Sequence, residues 1–423
     1  MRLGRMMKIR WWIIGLVMIG TILNYLTRSI MGVAAPTAMA ELHISTEQYS
    51  WITGGFQLGI MLQPVAGYIL DMIGLKTGLA LFAAAWGIIT MAHALATGWI
   101  SLAGLRALLG FAEGTAHPGA LKVISEWFPA RERGFAGGVY NIGASLGSVL
   151  APLLVAGAVM VWDWRGAFIV AGIFALIWAA SWRRFYHSPE NHPTVPPGER
   201  AEILEGQESY LRADTVKPPL GRLLRQRNLW GIALPRFLAD PTWGTLTLWM
   251  PLYLTTVRHF DLGQIAMFAG LPFIAADLGC LFGPAVVLWL QRRGISLINA
   301  RRGAYTLGAV LMTGMMFVGQ VESAAAAVAL LCLGGFAHQT LSVTCITMAS
   351  DLFPRNEVGT AAGIAGTMAN LGVLLFSLAM GHFVETIGYG PFFIALGVLD
   401  LFAAATLWIL VRAPEPQKEP TTA

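Results

Sequence analysis

Residues 11–38 read WWIIGLVMIGTILNYLTRSIMGVAAPTA, and Arg28 is the only charge among them. At ~1.5 Å of rise per residue, such a helix outreaches the ~30 Å hydrocarbon layer of a bilayer. A helix facing water would need polar residues at every turn, and this one lacks them. The stretch therefore reads as a membrane span. Five further apolar runs of similar length lie near 48–70, 77–97, 100–124, 134–158 and 164–182, and six more near 228–256, 262–290, 304–321, 324–349, 357–382 and 389–411. Composition agrees: 56% of the 423 residues are hydrophobic and 12% charged, against ~45–50% and ~25% in soluble domains. Strand-barrel segments would be about ten residues of strict alternation, so that architecture is excluded. The expected fold is an all-α polytopic membrane protein of twelve transmembrane helices.

Sorting the loops by side tests that count. Twenty-three of the 28 Lys and Arg fall at the amino terminus, in even-numbered loops or in the tail. The opposite loops hold only Arg165 and Arg258, and Arg28, Arg106 and Arg236 lie inside spans. By the positive-inside rule both termini are cytoplasmic. The same asymmetry explains the net charge of +5 without a nucleic-acid partner. Residues 188–227, rich in Pro and charge, form a cytoplasmic linker between a six-helix half at 1–187 and another at 228–411, followed by a tail at 412–423. The halves repeat at an offset of 225. Ser125-Glu-Trp-Phe-Pro-Ala-Arg-Glu-Arg-Gly parallels Ser350-Asp-Leu-Phe-Pro-Arg-Asn-Glu-Val-Gly, and Gly166-Ala-Phe-Ile-Val-Ala-Gly parallels Pro391-Phe-Phe-Ile-Ala-Leu-Gly. Two related six-helix halves describe an alternating-access transporter.

A charge at mid-membrane costs at least ~2.5–3.5 kcal/mol, so each one kept needs a cavity or a partner. Arg28 lies ~25 Å along the first helix and Arg106 about 10 Å in from the far end of the fourth, at similar depth. Two guanidiniums opening on one cavity suit a carboxylate-bearing substrate, which the planar fork grips bidentately. Glu113 follows Arg106 by seven residues, on the same face and near the midplane. Its protonation would respond to burial and to the anion beside it, which is proton-coupling chemistry. Alternatively, Arg106 and Glu113 neutralise each other. Arg236 and Asp240 stand at i,i+4 on the seventh span beside helix-breaking Pro241, as a gate or an internal salt bridge. Asp71 and Lys76, around the turn after the second span, can latch helix ends.

Asp277 and Asp400 are isolated acids suited to packing or interhelical hydrogen bonds. His338, Gln339 and Asn370 can bond sugar hydroxyls or glue helices together. His93 and His382 read as core histidines, and His117 stays open. Gly110-xxx-Gly114 and Gly143-xxx-Gly147 mark close helix packing. Cys280, Cys332 and Cys345 lack metal-ligand or disulfide spacing, and no nucleophile-base pair or phosphate loop appears, so neither a metal site nor an enzyme is expected. A non-transporting receptor would need a signalling domain, for which a linker of about 40 residues is too short.

The Gly67-Tyr-Ile-Leu-Asp71-Met-Ile-Gly74-Leu-Lys76 loop, within two related halves, resembles the major facilitator superfamily. Asn24-Tyr-Leu-Thr-Arg28, Arg106 with Glu113, and Ser125-Glu-Trp-Phe-Pro resemble its anion:cation symporter family. Gln63-Pro-Val-Ala-Gly-Tyr-Ile-Leu-Asp71, Ala233-Leu-Pro-Arg-Phe-Leu-Ala-Asp-Pro-Thr-Trp243, Ala276-Asp-Leu-Gly-Cys280 and Gly334-Gly-Phe-Ala-His-Gln339 are similar to bacterial hexuronate transporters. The resemblance implies a symporter of the bacterial inner membrane that imports glucuronate or galacturonate with the proton as its coupling ion and no other cofactor, and a monomer is expected. It places Tyr25 and Arg28 at the sugar acid and makes Glu113 the protonation site. The runner-up substrate is an aldonate or aldarate. Aldonate relatives carry Asp immediately before the first-helix Arg, where this chain has Thr27, so a two-carboxylate coupling scheme does not transfer. Gly59 stands where relatives can carry a substrate-facing Tyr. Ser148 replaces the Pro usual in antiporters of the superfamily.

Overall fold

The structure, a computed structural model, describes residues 8–128, 130–205, 220–353 and 355–413. Its helices are α1 (Ile9–Glu41), α2 (Thr46–Met61), α3 (Gln63–Ile73), α4 (Leu75–Ala92), α5 (Trp99–Glu113), α6 (Ala116–Trp127), α7 (Ala130–Val161), α8 (Trp164–Phe185) and α9 (Pro197–Glu205). They continue as α10 (Leu220–Leu224), α11 (Arg227–Ala239), α12 (Pro241–Gly244), α13 (Met250–Thr256), α14 (Leu262–Phe268), α15 (Leu271–Arg292), α16 (Leu297–Met312), α17 (Ala324–Leu352), α18 (Arg355–Ile387) and α19 (Gly390–Leu410). Each of the twelve apolar runs coincides with one helix or with consecutive helical segments. Eight helical stretches among the described residues are long and apolar enough by themselves to cross a membrane. Large apolar side chains such as Leu58, Ile88, Leu108, Leu281 and Phe402 stand exposed, as on surfaces solvated by lipid.

Local sequence explains where the helices start and break. Ser45 with Gln48 and Asp261 with Gln264 form capping boxes that open α2 and α14. Gly74 links α3 to α4 at φ +85°, a conformation that side chains resist. The fourth span breaks between Glu113 and Ala116, where Pro118 has no N–H to return to the carbonyl of Gly114. The seventh breaks at Asp240–Pro241, as its proline suggests, and then takes one π-helical turn over Thr245–Trp249.

The described residues fall into two compact units. One draws on Met1–Asp214, Gly244–Asp277 and Val373–Tyr389, the other on Thr215–Trp243, Leu278–Gly372 and Gly390–Ala423. The first unit takes in parts of the seventh, eighth and eleventh spans because they pack on α1, α7 and α2 respectively, with hydrogen bonds to α2 from the seventh and eleventh. Tyr49 Oη donates to the Leu248 carbonyl at 2.6 Å, Thr53 Oγ1 pairs with Ser377 Oγ at 2.7 Å, and Trp249 Nε1 donates to Ser377 Oγ at 2.8 Å. In the same unit α9 caps α1. Glu199 accepts from the main-chain N–H groups of Ile9 and Arg10 at 3.1 and 3.2 Å, and Glu202 pairs with Lys8 at 2.6 Å and Arg10 at 3.1 Å.

The sequence repeat reappears as contacts between bare backbones. In the first unit Gly55 and Gly59 of α2 lie against the carbonyls of Ala103 and Ala107 on α5; in the second, Gly279 and Gly283 of α15 lie against those of Phe336 and Thr340 on α17. Gly147 of α7 meets Ile22 O of α1, and Gly372 meets Phe237 O of α11. Gly172 meets Gly87 and Met91, and Gly397 meets Met312 and Met316. A Cβ at Gly147 would fall 2.3 Å from a carbonyl oxygen, so glycine is what permits the approach.

Candidate functional site

The charged cluster in the first unit is built by α1 and α5. Asn24, Thr27 and Arg28 lie within little more than one turn of α1, and Glu113 is the last residue of α5, at the helix break. Arg28 Nε donates to Glu113 Oε2 at 3.3 Å, Arg28 Nη2 donates to Asn24 Oδ1 at 3.0 Å, and Thr27 Oγ1 donates to Glu113 Oε1 at 2.8 Å. Arg28 Nη1 makes no hydrogen bond among the described residues. The guanidinium lies 4.8 Å from the Tyr25 ring centroid and 5.1 Å from that of Phe56, favourable cation–π distances. Glu113 is 1% exposed, whereas the Arg28 side chain keeps 21% exposure. One arginine thus holds a buried carboxylate with one edge and leaves a donor available on the other.

Arg106 has a different setting from Arg28. It is fully buried, lies 4.5 Å from the Phe56 ring and donates from Nη2 to the main-chain carbonyl of Arg28 at 3.3 Å. Its Nε and Nη1 have no hydrogen-bond partner among the described residues. The carboxylate of Glu113 is therefore hydrogen-bonded by α1, and Arg106 acts on it through charge alone. Instead of opening on a cavity beside Arg28, Arg106 is fully enclosed, held between the Phe56 ring and the main-chain carbonyl of Arg28.

In the second unit, Arg236 Nη2 reaches Asp240 Oδ2 at 2.7 Å, the i,i+4 salt bridge that the spacing allows. His338 is buried and stacks on Trp243 at 5.7 Å, and Gln339 is half-buried beside it. Asn370 Nδ2 donates to the Gly366 carbonyl at 2.9 Å. Asp400 is fully buried, and neither carboxylate oxygen has a hydrogen-bond partner among the described residues. In the first unit Asp277 accepts from Ser145 Oγ of α7. The latch assigned to Asp71 and Lys76 falls partly outside the described residues, since the Asp71 side chain is not among them; Lys76 faces Arg183 and Arg184 of α8.

One further expectation changes. His382 is no core histidine: it is 62% exposed and stands 3.8 Å from Glu47, because it lies on the outer face of α18. At Gly59 the tyrosine contact of relatives is missing as expected: a Cβ there would collide with the Ala107 carbonyl, so the glycine serves packing on α5. His93 is buried as expected, stacked on Phe168 with Nδ1 2.8 Å from the Ile89 carbonyl. His117, left open by its sequence, has Nδ1 2.6 Å from Tyr140 Oη. Asn24 and Phe56 join the cluster without having been singled out. The i,i+4 spacing of Asn24 to Arg28 was the available signal, whereas nothing distinguishes Phe56 from other apolar residues.

The sequence model of the Major Facilitator Superfamily matches residues 17–334 and 295–423. The chain is 46% identical over 407 residues to the hexuronate transporter of Escherichia coli strain K12, covering 96% of this chain and 94% of that one. It is 45% identical over 324 residues to the galacturonate transporter of Dickeya chrysanthemi, covering 76% and 94%. Among solved structures it superimposes on a D-xylose-proton symporter with a TM-score of 0.74 at 16% identity, covering 95% of this chain and 98% of that one. With its helical fold and matched family model, the chain belongs to the Major Facilitator Superfamily of multi-pass membrane transporters.

Proposed function

We propose that the chain imports hexuronates, glucuronate or galacturonate, together with protons, by alternating access. The likeness to hexuronate and galacturonate transporters supports the substrate class. The observation that carries the mechanism is the sharing of Arg28: its Nε is held by the buried Glu113, and its Nη1 is uncommitted. A substrate carboxylate and the Glu113 carboxylate compete for one guanidinium. Protonating Glu113 weakens its hold, so Arg28 turns its charge to the anion and the two ligands bind together. Tyr25 packs beside Arg28 at the sugar, and Arg106 adds positive charge. His338, Gln339 and Asn370 supply hydroxyl partners in the other half of the sequence. The excess of Lys and Arg in even-numbered loops supports cytoplasmic termini.

The test is uptake of labelled glucuronate into liposomes containing the purified protein, with and without an inward proton gradient. Accumulation above equilibration only with the gradient is expected, with galacturonate competing better than galactonate. Glu113→Gln is expected to abolish gradient-driven accumulation while exchange of internal for external substrate persists. Loss of both would reduce Glu113 to a structural role, and competition won by galactonate would favour the aldonate reading.

A further inference from the structure

Thr27 Oγ1 has three oxygens within hydrogen-bond distance. Glu113 Oε1 lies at 2.8 Å, the Asn24 carbonyl at 2.9 Å and the Leu23 carbonyl at 3.0 Å. A hydroxyl has one proton to give and lone pairs to receive with, so it can satisfy only one of these acceptors at a time. With Glu113 ionised, Thr27 donates to the carboxylate. With Glu113 protonated, the carboxylic O–H donates to Thr27 Oγ1, and the Thr27 proton turns to a main-chain carbonyl one turn back on α1. Every heavy atom keeps its place. Neither state leaves this oxygen of the buried carboxyl unpaired, which matters where Thr27 is 0% and Glu113 1% exposed.

We propose that Thr27 is a positioning residue for proton coupling: its hydroxyl reverses from donor to acceptor as Glu113 gains a proton, so both protonation states of the carboxyl are hydrogen-bonded at one place. The inference rests on the proton-symport reading above. The proton that Glu113 binds and releases comes from water and returns to it; Thr27 only rotates its own. The charged groups that act on Glu113 are Arg28 from α1 and Arg106 from its own α5. Among the described residues, α2, α3 and α4, also packed on α5, bring no charge to it. The hydroxyl is thus the uncharged partner that can answer a change in the protonation of Glu113.

The experiment measures exchange and gradient-driven uptake of labelled glucuronate across pH in proteoliposomes of the full-length protein. It compares wild type with Thr27→Val, Thr27→Ala and Thr27→Ser, using Glu113→Gln as the uncoupled control. A bond to a charged acceptor is worth more than a neutral one, so losing the hydroxyl costs the ionised state more. The pH of half-maximal exchange is expected to rise by about one unit in Thr27→Val. At pH values below that midpoint such a shift lowers the deprotonated fraction, and with it gradient-driven uptake, by up to about tenfold. Thr27→Ser should return the wild-type profile, and Thr27→Ala, which only removes atoms, should match Thr27→Val and replaces it if the valine protein does not reach the membrane. Profiles of Thr27→Val and Thr27→Ala that superimpose on wild type, or a Thr27→Ser profile displaced like theirs, would overturn the proposal while leaving symport standing. A wild type that never accumulates substrate against its gradient would remove the symport reading, and the role of Thr27 with it.

Discussion

Arg28 and Arg236 are each tolerated inside a span through the acid that faces them. Arg236 is held by Asp240 at 2.7 Å, with side-chain exposures of 20% and 12%. Asp240→Asn leaves the guanidinium facing an amide and should destabilise the protein by about 3 kcal/mol, since breaking a buried pair strands the other charge. Replacing both residues by apolar ones of similar size should recover most of that loss, and thermal unfolding in detergent reads both. The charged members of the Arg28 cluster were legible in the sequence because a charge within an apolar run is conspicuous. The bond from Thr27 to Glu113 was not, since an ordinary polar residue announces neither its partner nor its direction. His382 misled for a related reason: an apolar neighbourhood in sequence does not say which face of α18 turns outward.

At the scale of elements, the spans were legible from run length and charge sidedness, but their interruptions were not. Only Pro241 marked its break in advance. The division at Gly114–Thr115 follows from Pro118, which was not read as a breaker, and the π-helical turn at Thr245–Trp249 had no mark in the sequence pattern. Glycine positions can be tested on a single helix. On α7, Gly147 meets Ile22 O within 2.3 Å of where a Cβ would stand, whereas Gly157 has open space. Gly147→Ala should lower thermal stability markedly and reduce the yield of folded protein in the membrane. Gly157→Ala should be neutral or stabilising by up to about 1 kcal/mol, because alanine is the better helix former.

Across the whole molecule, the linker does more than its composition suggests, since α9 closes over the start of α1. Lys8 and Arg10 hold the Glu202 carboxyl well below the usual range, at about 2. A carboxyl depressed on folding stabilises fully above its unfolded pKa of ~4.3, and that contribution fades as pH falls from there toward 2. Glu202→Gln should therefore unfold at a lower temperature than wild type at neutral pH. The gap should narrow in high salt, because the pair is partly exposed, and close through that acidic window.

The glycine contacts repeated in both units carry a mechanical consequence. Where side chains interdigitate, one helix can slide past another by changing rotamers; where peptide lies on peptide, no rotamer can change. Each pair joined this way, α2 with α5, α1 with α7, α15 with α17, α11 with α18, is a riveted strut. Compliance is then left to the joints between segments of one span, and Glu113 terminates α5 at such a joint. Glu113, the last residue of α5, stands at the end of one strut, and its hydrogen-bond partners Thr27 and Arg28 stand on another, α1.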